Sequence, residues 1–391
     1  MKSLFSFLLP LASILIALLT PSCSPHSSTS DGGLTVIPIV HVDVDAPMSV
    51  PKTSEVLKDA RIISLETSDD CLLNRITSIK TINGSLYIRE RRTTLYQFDG
   101  QGHFLSSLSK CGAGPEEYVN IDDFDVDRDG NVYVLSQDER CVYVYDKNGA
   151  FRDKLTIDGY ATSLCVMADG KIFVCFANDK NPNRDKKIVA VNGASGEGFL
   201  AVDTLINGFP FPSSRFVRDG DSFVFSEVCN DTVYGVSSEG VKPIAIMDYA
   251  GRSVSVDFLR SEHDFIHALS QSGLVYAYDE FLDADTFAYV SFNHVTEIND
   301  GINMFYGNAL VNKLTGESKR CFRFSDDLCL FGFKVSVSYP VDRHSFATSV
   351  EMASLLEYAE SLSPSSRDSL LARINYQGED QNSVILIGTL K

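Results

Sequence analysis

Short apolar segments alternate with turn residues along most of the chain, and the alternation repeats at a nearly regular spacing. An Asn-Gly or Asp-Gly turn ahead of an apolar strand recurs at Gly84, Gly130, Gly170 and Gly220. These glycines are 46, 40 and 50 residues apart. A period of about 40–50 residues built from short strands is typical of a β-propeller, in which each repeat forms one four-stranded blade.

A second series of alternating β segments runs through the same repeats, in the order expected of strands 2 and 3 of a blade. Leu95–Gly102 and Val142–Gly149 both end in turns rich in Asp, Asn and Gly, which accept the positive φ of tight hairpins. Weaker copies begin at Ile188, Val233 and Leu310. Six hairpins therefore predict an all-β, six-bladed β-propeller over residues 56–391. The hairpins lie near Gly84, Gly130, Gly170, Gly220, Asp285 and Arg343.

Both ends of this region carry a further alternating strand. Arg61–Thr67 precedes the first repeat, and Ser383–Leu390 ends the chain. We expect the two terminal strands to pair within one blade, because closing the ring removes open sheet edges.

Helical spacing interrupts the repeats at two places. The apolar positions of Val254–Leu269 predict a helical insertion on one rim, with a hidden seventh blade as the alternative. Near the end, Ser349 is predicted to cap a short helix that reaches about Leu362. Ser363-Pro364 is predicted to start a second one.

The first 22 residues have the character of a secretory signal peptide, and the first cysteine follows them directly. Leu4–Leu19 is almost wholly apolar but short for a bilayer-spanning helix. Cys23 follows small residues as in a bacterial lipobox, although Thr20 stands where leucine is usual. We therefore predict lipidation of Cys23, a flexible tether over residues 23–55, and an anchor in the cell envelope at the outer membrane. Neither the periplasmic nor the surface face is favoured.

Charge and cysteine content limit the partners and the crosslinks. The chain carries 52 acidic and 34 basic residues, a net charge of −18. An acidic surface is unsuited to nucleic acid and to anionic lipid, so membrane contact is expected through the lipid anchor only. Eight cysteines follow Cys23 without a CxxC motif. Some, such as Cys141 and Cys175, lie in strand patterns where a thiol acts as a small apolar group, and one or two disulfides are conceivable in the envelope.

Three motifs together resemble a known family. Gly112-Ala113-Gly114-Pro115-Glu116-Glu117-Tyr118 resembles the Gly-x-Gly-Pro-x-Glu-Tyr signature of the six-bladed β-propeller lipoproteins of Bacteroidetes, which are related in fold to NHL and TolB-type propellers. Ile63–Thr67 is similar to their opening strand, and Glu379–Val384 to their closing strand. The resemblance covers about Val56–Lys391 and implies the fold and an envelope location. It implies no catalytic residues, because the family has no agreed activity.

The signature loop is the candidate binding loop. We expect Gly112 and Gly114 to adopt backbone angles that a Cβ would disfavour, and Pro115 to stiffen the exit of a tight crossing between blades. As a rim loop, it would also offer three side chains to a ligand at the central channel. These are Glu116, Glu117 and Tyr118.

Two further motifs imitate metal sites without completing them. Asp125–Gly130 matches the start of a calcium loop, but Ser136 occupies the twelfth position, where an acid is needed. His263 and His267 have the spacing of a zinc site, but Asp264 replaces the expected glutamate. No metal site is predicted, and the cofactor is unknown.

We therefore expect a non-enzymatic envelope binding module whose partner is an envelope protein, a small molecule or a glycan. The chain has no tryptophan, which weakens the case for a glycan, although tyrosine can also stack on sugars. The alternative is an NHL-type metal-dependent lyase or lactonase with its site in the central channel. Ligands for that metal would be dispersed over several blades and would leave no local motif.

Overall fold

Six sheets with antiparallel four-stranded blades stand around a common centre in the computed structural model, and a fifth strand adds to one of them. The structure describes residues 37–177, 185–191, 197–206, 213–261, 264–298 and 301–391. The predicted six-bladed β-propeller is confirmed. In the first five blades the strands pair in chain order from the innermost outward, whereas the sixth blade combines strands from both ends of the propeller. Within the described ranges, no helix is long and apolar enough to span a membrane.

The blades follow one another along the chain, after a short N-terminal segment. The elements through the third blade are β1 (Ile39–His41), α1 (Thr53–Val56), β2 (Leu57–Ser64), β3 (Ile76–Ile82), β4 (Ser85–Glu90), β5 (Thr94–Phe98), β6 (Phe104–Leu108), β7 (Asp123–Val126), β8 (Val132–Ser136), β9 (Cys141–Tyr145), β10 (Phe151–Thr156), β11 (Ser163–Val166), β12 (Ile172–Cys175), β13 (Lys186–Ala190) and β14 (Gly198–Ala201). Blades 1, 2 and 3 are β3–β6, β7–β10 and β11–β14.

The second half of the ring carries the helices. Its elements are β15 (Ser214–Asp219), β16 (Ser222–Glu227), β17 (Thr232–Ser237), β18 (Gly240–Asp248), α2 (Val256–Ser261), α3 (Phe265–Ser272), β19 (Val275–Asp283), β20 (Phe287–Ile298), β21 (Gly301–Asn312), β22 (Ser318–Arg320), β23 (Phe324–Asp326), β24 (Phe333–Val335), β25 (Tyr339–Pro340), β26 (Ser345–Val350), α4 (Met352–Glu360), α5 (Pro364–Arg373) and β27 (Val384–Leu390). Blade 4 is β15–β18, blade 5 is β19–β22, and blade 6 is β25–β27 with β2. The strands β23 and β24 form a separate hairpin.

The ring closes as predicted, through the two terminal strands. Strand β27 pairs with β26 on one side and with β2 on the other, in a register that places Ile63 opposite Ile385. A strand from the N-terminal side of the propeller therefore completes the last blade and joins the two ends of the ring.

The residues just before the propeller are more ordered than a flexible tether over 23–55 would be. Strand β1 adds to blade 4 in parallel with β18, with Ile39 opposite Ile246. Val40, Val42 and Val44 are buried, while polar residues alternate with them. Burying the apolar face of this strand stabilises the packed segment relative to a solvated linker. The segment from residue 37 onward is therefore packed, and the predicted leader and Cys23 lie outside the described residues.

The helices follow the predictions except at one start. Helices α2 and α3 form the insertion, where Asp264 caps α3 by accepting the His267 N–H at 3.2 Å. Ser363 caps α5 as expected. Ser349, however, does not cap a helix, because it pairs with Ile385 inside β26. The strand pairing that closes blade 6 therefore outweighs the local preference of serine to cap a helix.

Most of the core lies between neighbouring blades. Between blades 1 and 2, Tyr87 and Leu95 pack with Phe124, Tyr143 and Tyr145. Burying a large apolar side chain contributes roughly 1.5–3 kcal/mol, so these interfaces hold the ring together without crosslinks. All eight cysteines from residue 71 onward are unpaired, and Cys141 and Cys175 are buried as small apolar groups.

Candidate ligand site in the central channel

The innermost strands of the six blades enclose a cavity of about 260 Å³. Every blade contributes to its lining through its first strand or the residue just before it. One lining residue from each blade, in order, is Lys80, Asp123, Thr162, Arg215, Asp279 and Tyr339. Because all six inner strands run in the same direction, they all begin at one end of the channel, here called the entry end. They all finish at the opposite end, here called the hairpin end, where the first hairpin of each blade lies.

Two ion pairs in the channel are at hydrogen-bond distance and join three blades each. Lys80 Nζ lies 2.8 Å from Asp123, and Arg218 lies 2.8 Å from Asp125. Both carboxylates also accept a backbone N–H of β11, from Leu164 at 3.0 Å and from Val166 at 2.8 Å. A buried charge needs this degree of compensation, so we interpret these pairs as structural links between blades.

Further ion pairs bring the hairpins of alternate blades together at the hairpin end. Arg128 in the first hairpin of blade 2 pairs with Asp221 in that of blade 4. Arg343 of blade 6 lies 3.7 Å from Asp219 and 2.7 Å from Asp283. Exposed ion pairs add little stability. Their position places these ion pairs at the hairpin end of the channel, where they link hairpins of different blades.

Arg215 differs from the other channel cations because its guanidinium donates no hydrogen bond to any described residue. Its Nη2 lies 3.6 Å from Asp279 and 4.0 Å from Glu280, both beyond hydrogen-bond distance. Its Nε is buried without a partner, and so is Oδ1 of Asp279. The other Asp279 oxygen accepts the Ser213 hydroxyl at 2.6 Å. Nε of Arg218 and Nε of Arg343 are also buried without a partner, so Arg215 is distinguished by the lack of a hydrogen bond from its whole guanidinium to any described residue.

The pKa values of Arg215 and Glu280 are both raised above their ordinary values. Burial opposes the charge of Arg215, but Asp279 and Glu280 outweigh this effect and raise the pKa of the guanidinium above its ordinary value. Burial, with a smaller contribution from Asp279, raises the pKa of Glu280 to about 7, against the opposing effect of Arg215. Near neutral pH the site therefore holds one fixed cation, Arg215, beside the Glu280 carboxyl group, which is partly protonated.

Arg89 also lines the cavity, but its guanidinium is already hydrogen-bonded within the protein. Its Nη1 donates to the carbonyl of Ile121 at 3.1 Å, and its Nε donates to the Thr77 hydroxyl at 3.1 Å. Burial lowers the pKa of Arg89. These bonds hold the connection between blades 1 and 2 and leave little capacity for a ligand.

The structure places the candidate binding loop, Gly112–Tyr118, away from the cavity lining. Tyr118 is fully buried, and its hydroxyl lies 2.8 Å from the Thr93 carbonyl and 3.1 Å from both the Leu108 carbonyl and the Lys110 nitrogen. Its ring meets those of Tyr143 and Tyr145 edge-on. Tyr118 therefore anchors the crossing between blades 1 and 2.

The other loop residues surround a single carboxylate. Glu117 Oε2 accepts the N–H of Gly114 at 2.8 Å, and a Cβ on Gly112 would lie 2.0 Å from that oxygen. The φ of neither glycine is in the left-handed region, so the backbone strain predicted from sequence is not the reason for glycine here. The reason is space for Glu117. Pro115 and Glu116 are exposed, and the Glu116 carbonyl accepts the Tyr145 hydroxyl at 2.8 Å.

The two metal-like motifs have other roles. Asp127 closes the turn of the calcium-like motif by accepting the N–H of Asp129 at 2.9 Å and of Asn131 at 2.8 Å. His263 lies outside the described residues, while His267 is on α3. Among the side chains that the structure describes, no group of three His, Cys, Asp or Glu is placed to hold a metal ion.

Sequence reasoning missed Arg215 and Asp279. A signal was present for Arg215 only: it stands five residues before the turn glycine Gly220, and Asp125, which also lines the channel, stands five before Gly130. Asp279 precedes a turn near Asp285 that has no glycine, so the repeat gave no corresponding position for it.

A ring of six sheets around a polar channel defines this protein as a six-bladed β-propeller. The chain belongs to the family described as domain of unknown function DUF4934, whose model matches residues 34–389. No curated protein matches it.

This chain is similar to several solved structures. A predicted exported protein of Bacteroides fragilis NCTC 9343 is 17% identical over 90% of this chain and 99% of its own, with a TM-score of 0.68. A DUF4221 member from Bacteroides vulgatus ATCC 8482 is 10% identical and covers 86% of this chain and 97% of its own, with a TM-score of 0.47. BamB of Moraxella catarrhalis is 10% identical and covers 84% and 99%, with a TM-score of 0.41. At 17% identity, the likeness to the Bacteroides fragilis protein shows the fold alone.

Proposed function

We propose that this protein is a non-enzymatic binding module of the bacterial cell envelope that takes a small polar ligand in its central cavity. The observation that carries the proposal is the Arg215 guanidinium in that cavity, which keeps 32% of its side-chain surface accessible and donates no hydrogen bond to any described residue. Polar groups inside a protein are normally hydrogen-bonded within the protein or to bound molecules. An accessible guanidinium without hydrogen bonds, where six inner strands meet, is therefore suited to an acceptor group on a ligand.

The size of the cavity limits the class of ligand. A cavity of about 150 Å³ holds benzene, so the channel volume of about 260 Å³ suits a molecule of roughly ten non-hydrogen atoms. A protein or glycan chain is too large to enter. Such a partner would have to bind an outer face, as the candidate loop at Glu116 would allow.

The envelope location is supported by the sequence and by a neighbour in fold. The apolar leader followed by Cys23 has the character of a lipoprotein signal. The Bacteroides fragilis protein that shares the fold is described as exported. We propose that Cys23 carries the lipid anchor at the outer membrane.

The alternative of a metal-dependent lyase or lactonase would need channel side chains free to bind a metal. Asp123 and Asp125 instead are each engaged by a cation and a backbone N–H. Elemental analysis of the purified protein separates the two hypotheses, because a stoichiometric, tightly held ion would favour the lyase.

A cavity-filling variant tests the binding proposal directly. Ser78 lines the cavity, so Ser78→Phe should occupy part of it. Ser107→Phe places the same ring on the exposed outer strand β6 and serves as the matched control. Native mass spectrometry and thermal-shift screening with small polar molecules should detect a ligand in the wild type and in Ser107→Phe, but not in folded Ser78→Phe. Equal binding by all three proteins would overturn the proposal.

A further inference from the structure

The inner strand of blade 5 contains a β-bulge, in which residues 278–280 stand opposite Ser291 alone. The Ser291 hydroxyl holds the bulge, because it accepts the Glu280 N–H at 3.0 Å and donates to the Glu280 carbonyl at 3.2 Å. Successive side chains of a regular strand point to opposite faces, and a bulge changes that alternation. Asp279 and Glu280 therefore both lie within 4.0 Å of Arg215, although they are consecutive.

Cations outnumber aspartates around the cavity. Its lining contains the cations Lys80, Arg89, Arg215 and Arg218 and the aspartates Asp122, Asp123, Asp125 and Asp279. Asp122 is also paired with Arg92, which lies outside the lining. Even with all four aspartates ionised, which is the least positive case, these groups carry one positive charge in excess.

The pKa of Tyr339, which also lines the cavity, reflects these cations. Burial raises it, whereas Arg89, Arg215 and Arg75 act in the opposite direction. Three guanidinium groups thus act on one phenol of the lining. The guanidinium of Arg89 donates to the protein itself, so the accessible donors near Tyr339 are those of Arg215.

Glu280 decides whether the excess positive charge is left for a ligand. Among the described residues, it is the only carboxyl group outside the lining that lies within 4.0 Å of a lining cation. Its side chain keeps 19% of its surface accessible and can exchange a proton with solvent. Besides Arg215 and Asp279, it adjoins Tyr278 and Tyr289, whose raised pKa values keep both phenols neutral. Ionised Glu280 offsets the excess charge, and protonated Glu280 leaves it.

We infer that the cavity takes a small anion at the accessible guanidinium of Arg215 and that Glu280 carries a proton while the anion is bound. This inference rests on the proposed function and names its class of ligand. The planar guanidinium can donate two parallel hydrogen bonds to a carboxylate or a similar oxyanion. An ionised Glu280, 4.0 Å from the same cation, would repel this anion, and a proton on Glu280 removes the repulsion. A neutral ligand would leave the excess charge unmatched.

Paired probes test the charge of the ligand on the full mature protein. Acetate and benzoate are compared by isothermal titration calorimetry with acetamide and benzamide, which have the same shapes without the charge. The larger pair, with about nine non-hydrogen atoms, is within the size that the cavity accepts. We expect a carboxylate to bind at least about tenfold more tightly than its amide at pH 6. No binding by either carboxylate, or equal binding by the amides, would overturn the inference.

Proton uptake tests the role of Glu280. Benzoate stays ionised between pH 6 and pH 8, so a proton taken up on binding goes to the protein. Because the pKa of Glu280 is about 7, benzoate should bind about tenfold more weakly at pH 8 than at pH 6. At pH 7, titrations in buffers of different ionisation enthalpy should show uptake of about half a proton per benzoate. An affinity that does not change with pH would contradict the inference.

Variants assign these effects to the named residues. Glu280→Gln should bind benzoate equally at pH 6 and pH 8, without proton uptake. Glu239→Gln, in the exposed turn between β17 and β18, is the matched control and should keep the pH dependence of the wild type. Arg215→Gln should abolish the preference for benzoate over benzamide. If that variant does not fold, Arg215→Lys, which keeps the charge without the planar fork, should weaken benzoate binding about tenfold.

The outcomes distinguish this inference from the proposed function. If benzamide binds as well as benzoate, or if Glu280→Gln keeps the pH dependence of the wild type, the inference fails while a cavity ligand remains. If none of the four probes binds and Ser78→Phe behaves like Ser107→Phe, the proposed function fails as well.

Discussion

Replacing Gly112 with alanine should destabilise the protein only while Glu117 is present. The added Cβ would lie 2.0 Å from Glu117 Oε2 and 2.6 Å from its carboxyl carbon. The carboxylate would have to move, and the hydrogen bond it accepts from the Gly114 N–H at 2.8 Å would be lost. The φ of Gly112 is outside the left-handed region, so the backbone itself tolerates alanine.

The expected size follows from two opposing contributions. A hydrogen bond to a charged group contributes about 1.5–3 kcal/mol, and because Glu117 is half-buried we take the lower end, about 1.5 kcal/mol. Replacing glycine by alanine where φ allows it stabilises by about 0.5 kcal/mol through the unfolded chain. Gly112→Ala alone should therefore cost about 1 kcal/mol, whereas in the Glu117→Ala background it should stabilise by about 0.5 kcal/mol.

Thermal and urea unfolding of the four proteins in this double-mutant cycle measure the coupling. With an unfolding entropy of about 2.1 cal/mol/K per residue over about 350 residues, 1.5 kcal/mol corresponds to a difference of about 2 °C in Tm. Gly84→Ala is the control, because its φ of 79° strains any side chain and no atom lies within 4 Å of the added Cβ. Its cost should be the same with and without Glu117. An equal loss for Gly112→Ala in both backgrounds would refute the steric explanation.

Three further predictions concern other parts of the molecule. Tyr118→Phe should lower the unfolding free energy by about 1–3 kcal/mol, because buried backbone groups lose their partner, while the exposed Tyr376→Phe should leave thermal melts unchanged. The pKa of Glu280 rises on folding from about 4.5 to about 7, so between these pH values the folded state binds more protons than the unfolded state, and the unfolding free energy should fall by up to about 3 kcal/mol as pH rises through them. In urea unfolding, Glu280→Gln should show a flatter dependence of stability on pH than the wild type, and identical dependences would contradict the assignment. Cys23→Ser should abolish lipidation, since only the thiol accepts the diacylglycerol, and an unchanged detergent-phase fraction would disprove the predicted anchor.

The blade count was predictable because each hairpin is specified locally. Gly130, Gly170 and Gly220 have φ values of 86°, 84° and 63°, as the Asp-Gly turns require. Ring closure was predictable because the terminal strands have strong alternation. The start of the first C-terminal helix was not, since Ser349 belongs to a strand whose partner, Ile385, is 36 residues away. Capping rules describe local preference and do not include such pairing.

The candidate loop shows how a correct motif can be assigned an incorrect physical reason. The signature around Gly112 marks a tight crossing, as expected. Its glycines nevertheless make room for a side chain, Glu117, that stands within the same motif. Sequence alone cannot distinguish a glycine needed for positive φ from one needed for space, because both appear as glycine in a turn.

The channel residues were beyond local reasoning because their relation is created only by the ring. Arg215 and Asp279 are 64 residues apart and meet because blades 4 and 5 are neighbours. The other channel pairs, Lys80–Asp123 and Arg218–Asp125, are at hydrogen-bond distance, and each carboxylate also accepts a backbone N–H. We interpret these two pairs as structural. If the Arg215 pair were also structural, the same bonding would be expected of it, since burying charges without hydrogen bonds is unfavourable. A ligand that accepts hydrogen bonds from the accessible part of the Arg215 guanidinium would supply what Lys80 and Arg218 obtain from their own carboxylates, and this contrast within one channel is the physical basis for assigning binding to Arg215.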